Sequence, residues 1–411
     1  MERVILHSDL NNFYASVECV LNSSLKDKYV AVCGNREDRH GIVLAKNMKA
    51  KLRGVKTGEP IWEAERKCPG LVIVPPQYEW YVKYSKAVRE IYCRYTDKAE
   101  AFGMDECWLD VTGSRRLFGD GERIAHMIRE DVKRETGLTV SVGVSFNKIF
   151  AKLGSDMKKP DAVTVIKREN FKEIVWPLPV GELLNVGRST EKKLNDRGVK
   201  TIGDLANVDI ELVKSWLGKN GEMLHNYANG KESSPVCDYN YVYPAKSVGH
   251  GITCSENLKN DKEVKRVILE LTQSISHRLR GIGMLASGVA LGIKTPSLLH
   301  REFCESLSEP THNSREIAEK AYEIFKSSHE WANEVRAVSV RAIRLVPDSI
   351  AKQLSIFKDS VRGDKIENIE NAVEKIRDMY GKSAVTYGGL MLNLKMPKAK
   401  DAEIILPAFR G

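Results

Sequence analysis

Residues 100–114, EAFGMDECWLDVTGS, decide how the first half of the chain is read. An extended run, a glycine at 103 and a second extended run spell strand, turn, strand. Neighbouring side chains on a regular strand point to opposite faces, so Asp105 and Glu106 can serve one site only where the backbone bends, and Gly103 supplies the bend. Outward from this hairpin, Val4–Leu6 make a short apolar run that ends at His7-Ser8-Asp9, after which NNFYASVEC turns helical. LTVSVGVS (138–145) predicts a strand, NKIFAKLGSDM (147–157) a helix and AVTVIK (162–167) another strand. Residues 29–33 and 42–45 are further strand candidates. Helical spacing covers 45–54, IWEAERKCP as far as Pro69, 78–95 and about 121–136. This order predicts an α+β domain with a mostly antiparallel sheet, ending near residue 166.

The whole chain has 411 residues, which predicts two to four domains. Its 42% apolar and 29% charged residues suit a soluble globular protein and exclude wholesale disorder and collagen-like structure. No stretch of about 18 apolar residues occurs, and MERVILHSDL lacks the apolar core of a secretory signal, so a cytoplasmic protein without membrane contact is expected. The eight cysteines are scattered and none forms a CxxC pair, against a zinc ribbon or disulfide framework. Beyond residue 166, short helices fill 167–232, and SSPVCDYNYVY (233–243) has no helical period and reads as a tether. Residues 244–345 then give strand KSVGHGITC, a helix over 261–281, strand SGVALGIKT, a helix over 314–328 and strand VRAVSVRAIRLV, a separate small α+β unit. The tail, 346–411, carries one helix at about 364–379.

Asp9, Asp105 and Glu106 are the candidate chemical residues. Brought alongside one another they offer the hard oxygen donors that Mg²⁺ takes; otherwise the pair is a solvated hairpin tip. The net charge of +9 becomes informative only where bases cluster. They do so in 145–160, where Lys148, Lys152, Lys158 and Lys159 face the single acid Asp156, and again at Lys46, Lys49, Lys51, Arg53 and Lys56. Lys148 and Lys152, four apart, share a helix face that either lines a phosphate backbone or is simply solvated.

Six segments in order carry a resemblance over nearly the whole chain: the opening strand to Asp9 with NNFYASVE, GVKTGEP (54–60), MDECWLDVTGS (104–114), VSVGVSFNKIFAKLGSDMKKP (140–160), LNVGRSTEKKLNDRGVKTIGDL (184–205) and KSVGHGITC (246–254). The chain resembles a Y-family translesion DNA polymerase of the polymerase IV (DinB) type, with UmuC-like features in the fingers. The resemblance implies an α+β, multidomain right hand: palm 1–10 and 76–166, fingers 11–75, helix-hairpin-helix thumb 167–232, linker 233–243, little finger 244–345, and a tail 346–411 with a clamp-binding peptide. It implies an error-prone, template-directed DNA polymerase that adds dNTPs to a primer 3′-OH opposite damaged template by two-metal-ion nucleotidyl transfer. Two Mg²⁺ ions, with Mn²⁺ able to substitute, would be held by Asp9, Asp105, Glu106 and the carbonyl of Leu10. Tyr14 aligns with the steric gate against ribose, and Lys159 with the lysine that holds the triphosphate.

In the fingers, Met48 and Lys51 stand where relatives of the polymerase IV type have a Tyr and an Arg reaching the triphosphate. Met48 cannot donate, Lys51 keeps the charge without the fork, and Lys46 is placed to compensate. Primer-template DNA would meet Lys148, Lys152, Gly187 of the thumb hairpin and Lys246, with Asn185 standing where many such hairpins have glycine. Gln353, Leu354, Ile356 and Phe357 of QLSIF resemble the peptide that holds the sliding β-clamp. A monomer is expected. The alternative is a catalytically weak DNA-binding scaffold recruited by the clamp; another two-metal phosphoryl-transfer enzyme would share the carboxylates but not need Tyr14.

Overall fold

The structure is a computed structural model, and it describes residues 2–35, 41–331, 333–349, 360–381, 384–391 and 393–397. The chain forms two compact units, the larger mainly Met1–Gly34 and Ile42–Tyr243, the smaller mainly Pro244–Glu403.

The larger unit opens with β1 (Ile5–Leu10), α1 (Phe13–Leu21), β2 (Val30–Cys33), β3 (Val43–Lys46), α2 (Met48–Leu52), α3 (Ile61–Lys67), β4 (Val72–Val74) and α4 (Tyr78–Cys93). It continues through β5 (Ala99–Ala101), β6 (Glu106–Asp110), α5 (Arg115–Phe118), α6 (Gly121–Thr136), β7 (Val140–Ser145), α7 (Lys148–Met157) and β8 (Val163–Val165). The main sheet has the order β5-β6-β1-β7-β8, antiparallel except at β7-β8. As its central strand, β1 is buried along its whole length. One face is sealed by α4 and α6, whose Tyr81, Val88, Ile91, Ile124, Ile128 and Val132 pack with Leu6, Leu109 and Val142. Asp120 caps α6 by accepting from the Arg123 amide, and Gly137 closes it with φ 72°, a left-handed geometry that glycine adopts without strain.

α7 lies on the other face at very close range. A Cβ on Gly143 would fall 1.8 Å from the Ala151 carbonyl oxygen, so only glycine lets β7 and α7 approach in this way. A three-stranded sheet, β3-β2-β4, has its own core of Ala31, Val43, Ala50, Ile61 and Ala64. α1, assigned by the resemblance to the fingers, buries Phe13, Ala15 and Val17 in the main core. The helices α8 (Phe171–Val175), α9 (Arg188–Asn195), α10 (Ile202–Asn207), α11 (Ile210–Leu217) and α12 (Lys219–Ala228) enclose a third core that Phe146 and Phe150 share.

The smaller unit contains β9 (Ser247–Leu258), α13 (Asp261–Gly281), β10 (Met284–Lys294), β11 (His300–Thr311), α14 (Ser314–Ser328) and β12 (Val335–Pro347). Its antiparallel sheet, β11-β10-β12-β9, packs on α13 and α14, whose apolar stripe includes Val264, Ile268, Leu271, Ile275, Ile317 and Phe325. β11 escaped the sequence reading because it is a polar edge strand, HREFCESLSEPT, with few buried positions to mark a period of two. α15 (Ser360–Tyr380) spans more than its predicted helix and packs back onto this unit. Glu374 meets His277 at 2.6 Å, Lys395 meets Glu263 at 2.9 Å, and Met396 joins the core. The peptide Gln353–Phe357 lies outside the described residues.

Candidate active site

The register of β1 against β6 places Asp9 opposite Glu106, and the Leu10 amide donates to the Asp105 carbonyl at 2.9 Å. Asp105 sits in the bend before β6 while Glu106 opens the strand, so both flank Asp9. Gly103 permits the bend at close quarters, since a Cβ there would meet Asp105 Oδ1 at 3.2 Å. Asp9, Leu10, Asp105 and Glu106 all line one cavity of about 430 Å³, with Tyr14, Lys46, Met48, Lys51, Thr57 and Lys159.

Burial raises the carboxyl of Asp9 to about 7, although Lys159 opposes the shift from 2.7 Å. Burial and the neighbouring Glu106 raise Asp105 as well. Glu106 is also desolvated, yet the adjoining His7 and the charge of Lys152, at 2.9 Å, hold it down at about 2. Two acids that resist losing their protons beside a third that is ionised form a site short of positive charge, and hard divalent cations fit this oxygen-donor set.

His7 is a site residue that the sequence reading missed. It is fully buried, its Nδ1 lies 2.8 Å from Ser155 Oγ, its Nε2 lies 3.4 Å from Glu106, and its ring meets Trp108 edge-on. Burial lowers its pKa to about 4, so it is neutral at ordinary pH. Its place two residues before Asp9, on the same face of β1, was the available signal. Tyr81 was missed likewise. Its ring stacks on Tyr14 at 4.2 Å and 10°, and its hydroxyl donates to buried Glu18 at 2.5 Å. Tyr14 is thus backed by a fixed aromatic plane, with its hydroxyl 3.5 Å from Met104 Sδ.

The two lysines expected to share a DNA-facing helix surface have different fates. Lys148 is buried, its side chain 5% exposed, and pairs with the equally buried Glu100 at 2.5 Å. Its ammonium is therefore neutralised inside the protein and not presented on a helix surface as the spacing suggested. Lys152 bridges Glu106 at 2.9 Å and Asp156 at 3.5 Å. The tether 233–243 is also fastened: Glu100 accepts from the Cys237 amide and the Tyr243 hydroxyl, both at 2.9 Å, and Arg89 lies over the Tyr239 ring. Lys246 is exposed just before β9. Gly187 is the N-cap of α9, and Asn185 adopts φ 71°, the left-handed geometry that asparagine tolerates.

Three family models match in order. That of the impB/mucB/samB family covers residues 8–156, that of its C-terminal domain 245–356, and one described as the DNA polymerase-iota thumb domain 181–232. The fold resembles a solved Y-family DNA polymerase chimera of Dbh and Dpo4, with a TM-score of 0.74 at 23% identity, covering 84% of this chain and 99% of the other. The chain belongs to the impB/mucB/samB family and is a Y-family, DinB-like, DNA-directed DNA polymerase. Within the family it is 52% identical to DNA polymerase IV of Acetivibrio thermocellus over 95% of this chain and 98% of the relative. It is 36% identical to DNA polymerase IV 1 of Bacillus subtilis over 95% and 93%. No helix among the described residues is long and apolar enough to cross a membrane.

Proposed function

We propose that this translesion polymerase extends a primer 3′-OH with dNTPs opposite damaged template, with low fidelity, at the cavity formed by Asp9, Asp105, Glu106, Tyr14 and Lys159. The observation that carries the proposal is the convergence of Asp9 on Asp105 and Glu106 in a cavity that Lys46, Lys51 and Lys159 also line. Asp9, Asp105, Glu106 and the Leu10 carbonyl would hold two Mg²⁺ ions, or Mn²⁺ in their place. Bound there, the metal supplies activation of the 3′-OH and neutralisation of charge on the departing pyrophosphate.

The remaining work falls to this chain's own groups. Lys159, paired with Asp9 and Asp156, is positioned to exchange a carboxylate for a phosphate oxygen, and Lys51 faces the same space. The Tyr14 ring closes the volume where a ribose 2′-OH would project. His7 and Lys152 orient Glu106 from behind. Holding the 3′-OH and α-phosphate in line converts a bimolecular attack into a positioned one. Exposed Lys246, Gly187 at the start of α9 and Lys152 on α7 are offered as contacts to primer-template DNA. QLSIF is offered as the β-clamp peptide, and the protein is read as a cytoplasmic monomer.

Primer extension with Mg²⁺ tests the proposal. The wild type extends with dNTPs, and Asp105→Ala stops extension while leaving DNA binding in place. Wild-type protein that binds primer-template yet adds no nucleotide with any divalent metal would instead be the clamp-recruited scaffold.

A further inference from the structure

Several lysines around the cavity already have acids. Lys159 is paired with Asp9 and Asp156, Lys152 with Glu106 and Asp156, and Lys49, on the outer side of α2, with Asp27 at 3.0 Å. Lys46 differs. Its Nζ donates to a neutral hydroxyl, Thr57 Oγ1, at 2.8 Å, and both residues line the cavity. The acid nearest in its electrostatics, Glu59, is already engaged by Lys67 at 2.5 Å and by the Lys56 amide at 2.9 Å. Burial, and then the positive charge of Lys51, lower the pKa of Lys46. Two lysines on one wall of a cavity, with no acid paired to either among the described residues, are a site that gains from a polyanion.

The backbone holds Lys46 in place. It ends β3 in register with Ala31, and the next residue, Asn47, caps α2 by accepting from the Ala50 amide at 3.0 Å while also accepting from the Val30 amide at 3.2 Å. Its ammonium is therefore presented from a fixed strand end. Met48, the following cavity-lining residue, offers no donor.

We propose that Lys46, steadied by Thr57, is a specificity-determining residue that binds the phosphate tail of the incoming nucleotide from the fingers side. The proposal rests on the dNTP site argued above. One hydroxyl contact leaves the remaining N–H groups of the ammonium free to meet phosphate oxygens, while Thr57 limits its rotamers. Lys46 then supplies on this wall the donor that Met48 lacks, beside the point charge of Lys51.

Single-nucleotide insertion kinetics on the full chain, with equilibrium binding of a dNTP and the matching dNMP in Ca²⁺, test it. Lys46→Ala is expected to raise KM for the dNTP about tenfold or more with kcat within about threefold, the scale of one charge-assisted contact. Lys46→Arg should restore much of the loss, Thr57→Val should fall between, and Lys49→Ala should match wild type. Binding of the dNTP should weaken far more than that of the dNMP, which places the contact on the tail. An unchanged KM in Lys46→Ala, or equal weakening for dNMP and dNTP, overturns the assignment. Failure of the wild type to insert any nucleotide would instead defeat the polymerase site itself.

Discussion

Replacing Lys148 by Met separates structure from DNA binding. In the wild type the Lys148 ammonium is enclosed against Glu100, whose side chain is 1% exposed, and Glu100 also holds the Cys237 amide and the Tyr243 hydroxyl. Removing the cation leaves a buried carboxylate without its counter-ion, a change that costs about 3–5 kcal/mol. For a unit of roughly 240 residues, each kcal/mol is worth about 2–4 °C, so Tm should fall by about 6–20 °C. The pH dependence should also change sign. In the wild type burial pushes Glu100 up, but Lys148 and the Cys237 amide bring it net below the usual range. Such a group adds stability above its unfolded pKa of about 4.3 and loses it as pH falls through the lower folded value. In Lys148→Met burial prevails and the folded pKa lies above the unfolded one, so the Tm deficit should shrink between about pH 7 and pH 5. Glu100→Gln combined with Lys148→Met should recover most of the loss. Thermal unfolding and salt-dependent DNA binding of the full chain decide the matter. An unchanged Tm with DNA affinity reduced, and a salt slope smaller by about one, would return Lys148 to the DNA interface.

Three more outcomes follow from the site. Tyr14→Ala should admit ribonucleotides in primer extension, and unaltered sugar discrimination would remove the ring from the gate role. Asp9, raised to about 7, must lose its proton to bind a cation, so Mn²⁺ affinity measured by titration of the metal-free protein should weaken about tenfold per pH unit below 7; equal affinity at about pH 6 and 8 would mean that Asp9 is already ionised. Deleting residues 353–357 should abolish stimulation by the sliding clamp and spare basal extension, whereas equal stimulation would leave QLSIF as ordinary chain.

Local pattern was enough for much of this molecule. The helix over 261–281 carries its apolar stripe and its Asn260 cap in consecutive residues, and the hairpin around Gly103 announces its bend, so both are found where periodicity puts them. Asp9, Asp105 and Glu106 were legible through the order of the motifs that carry them, since an acid at a strand end or a bend is by itself an ordinary turn residue. β11 was not legible, since an edge strand exposed along most of its length has no buried face to write a pattern.

Tertiary structure alone decided what each basic residue does. Lys148 and Lys152 are indistinguishable by helical spacing, yet one is sealed against Glu100 and the other bridges to Glu106, because β5, β6 and the tether pack against α7 from distant parts of the chain. Lys46 and Lys49 differ in the same way, one beside Thr57 in the cavity and the other outside against Asp27. The sequence by itself determined most of the elements, the family and the carboxylates, all of which depend on residues near one another or on motif order. The fate of a charge depends on the groups brought within about 4 Å of it, and those are chosen by the register and packing of the fold.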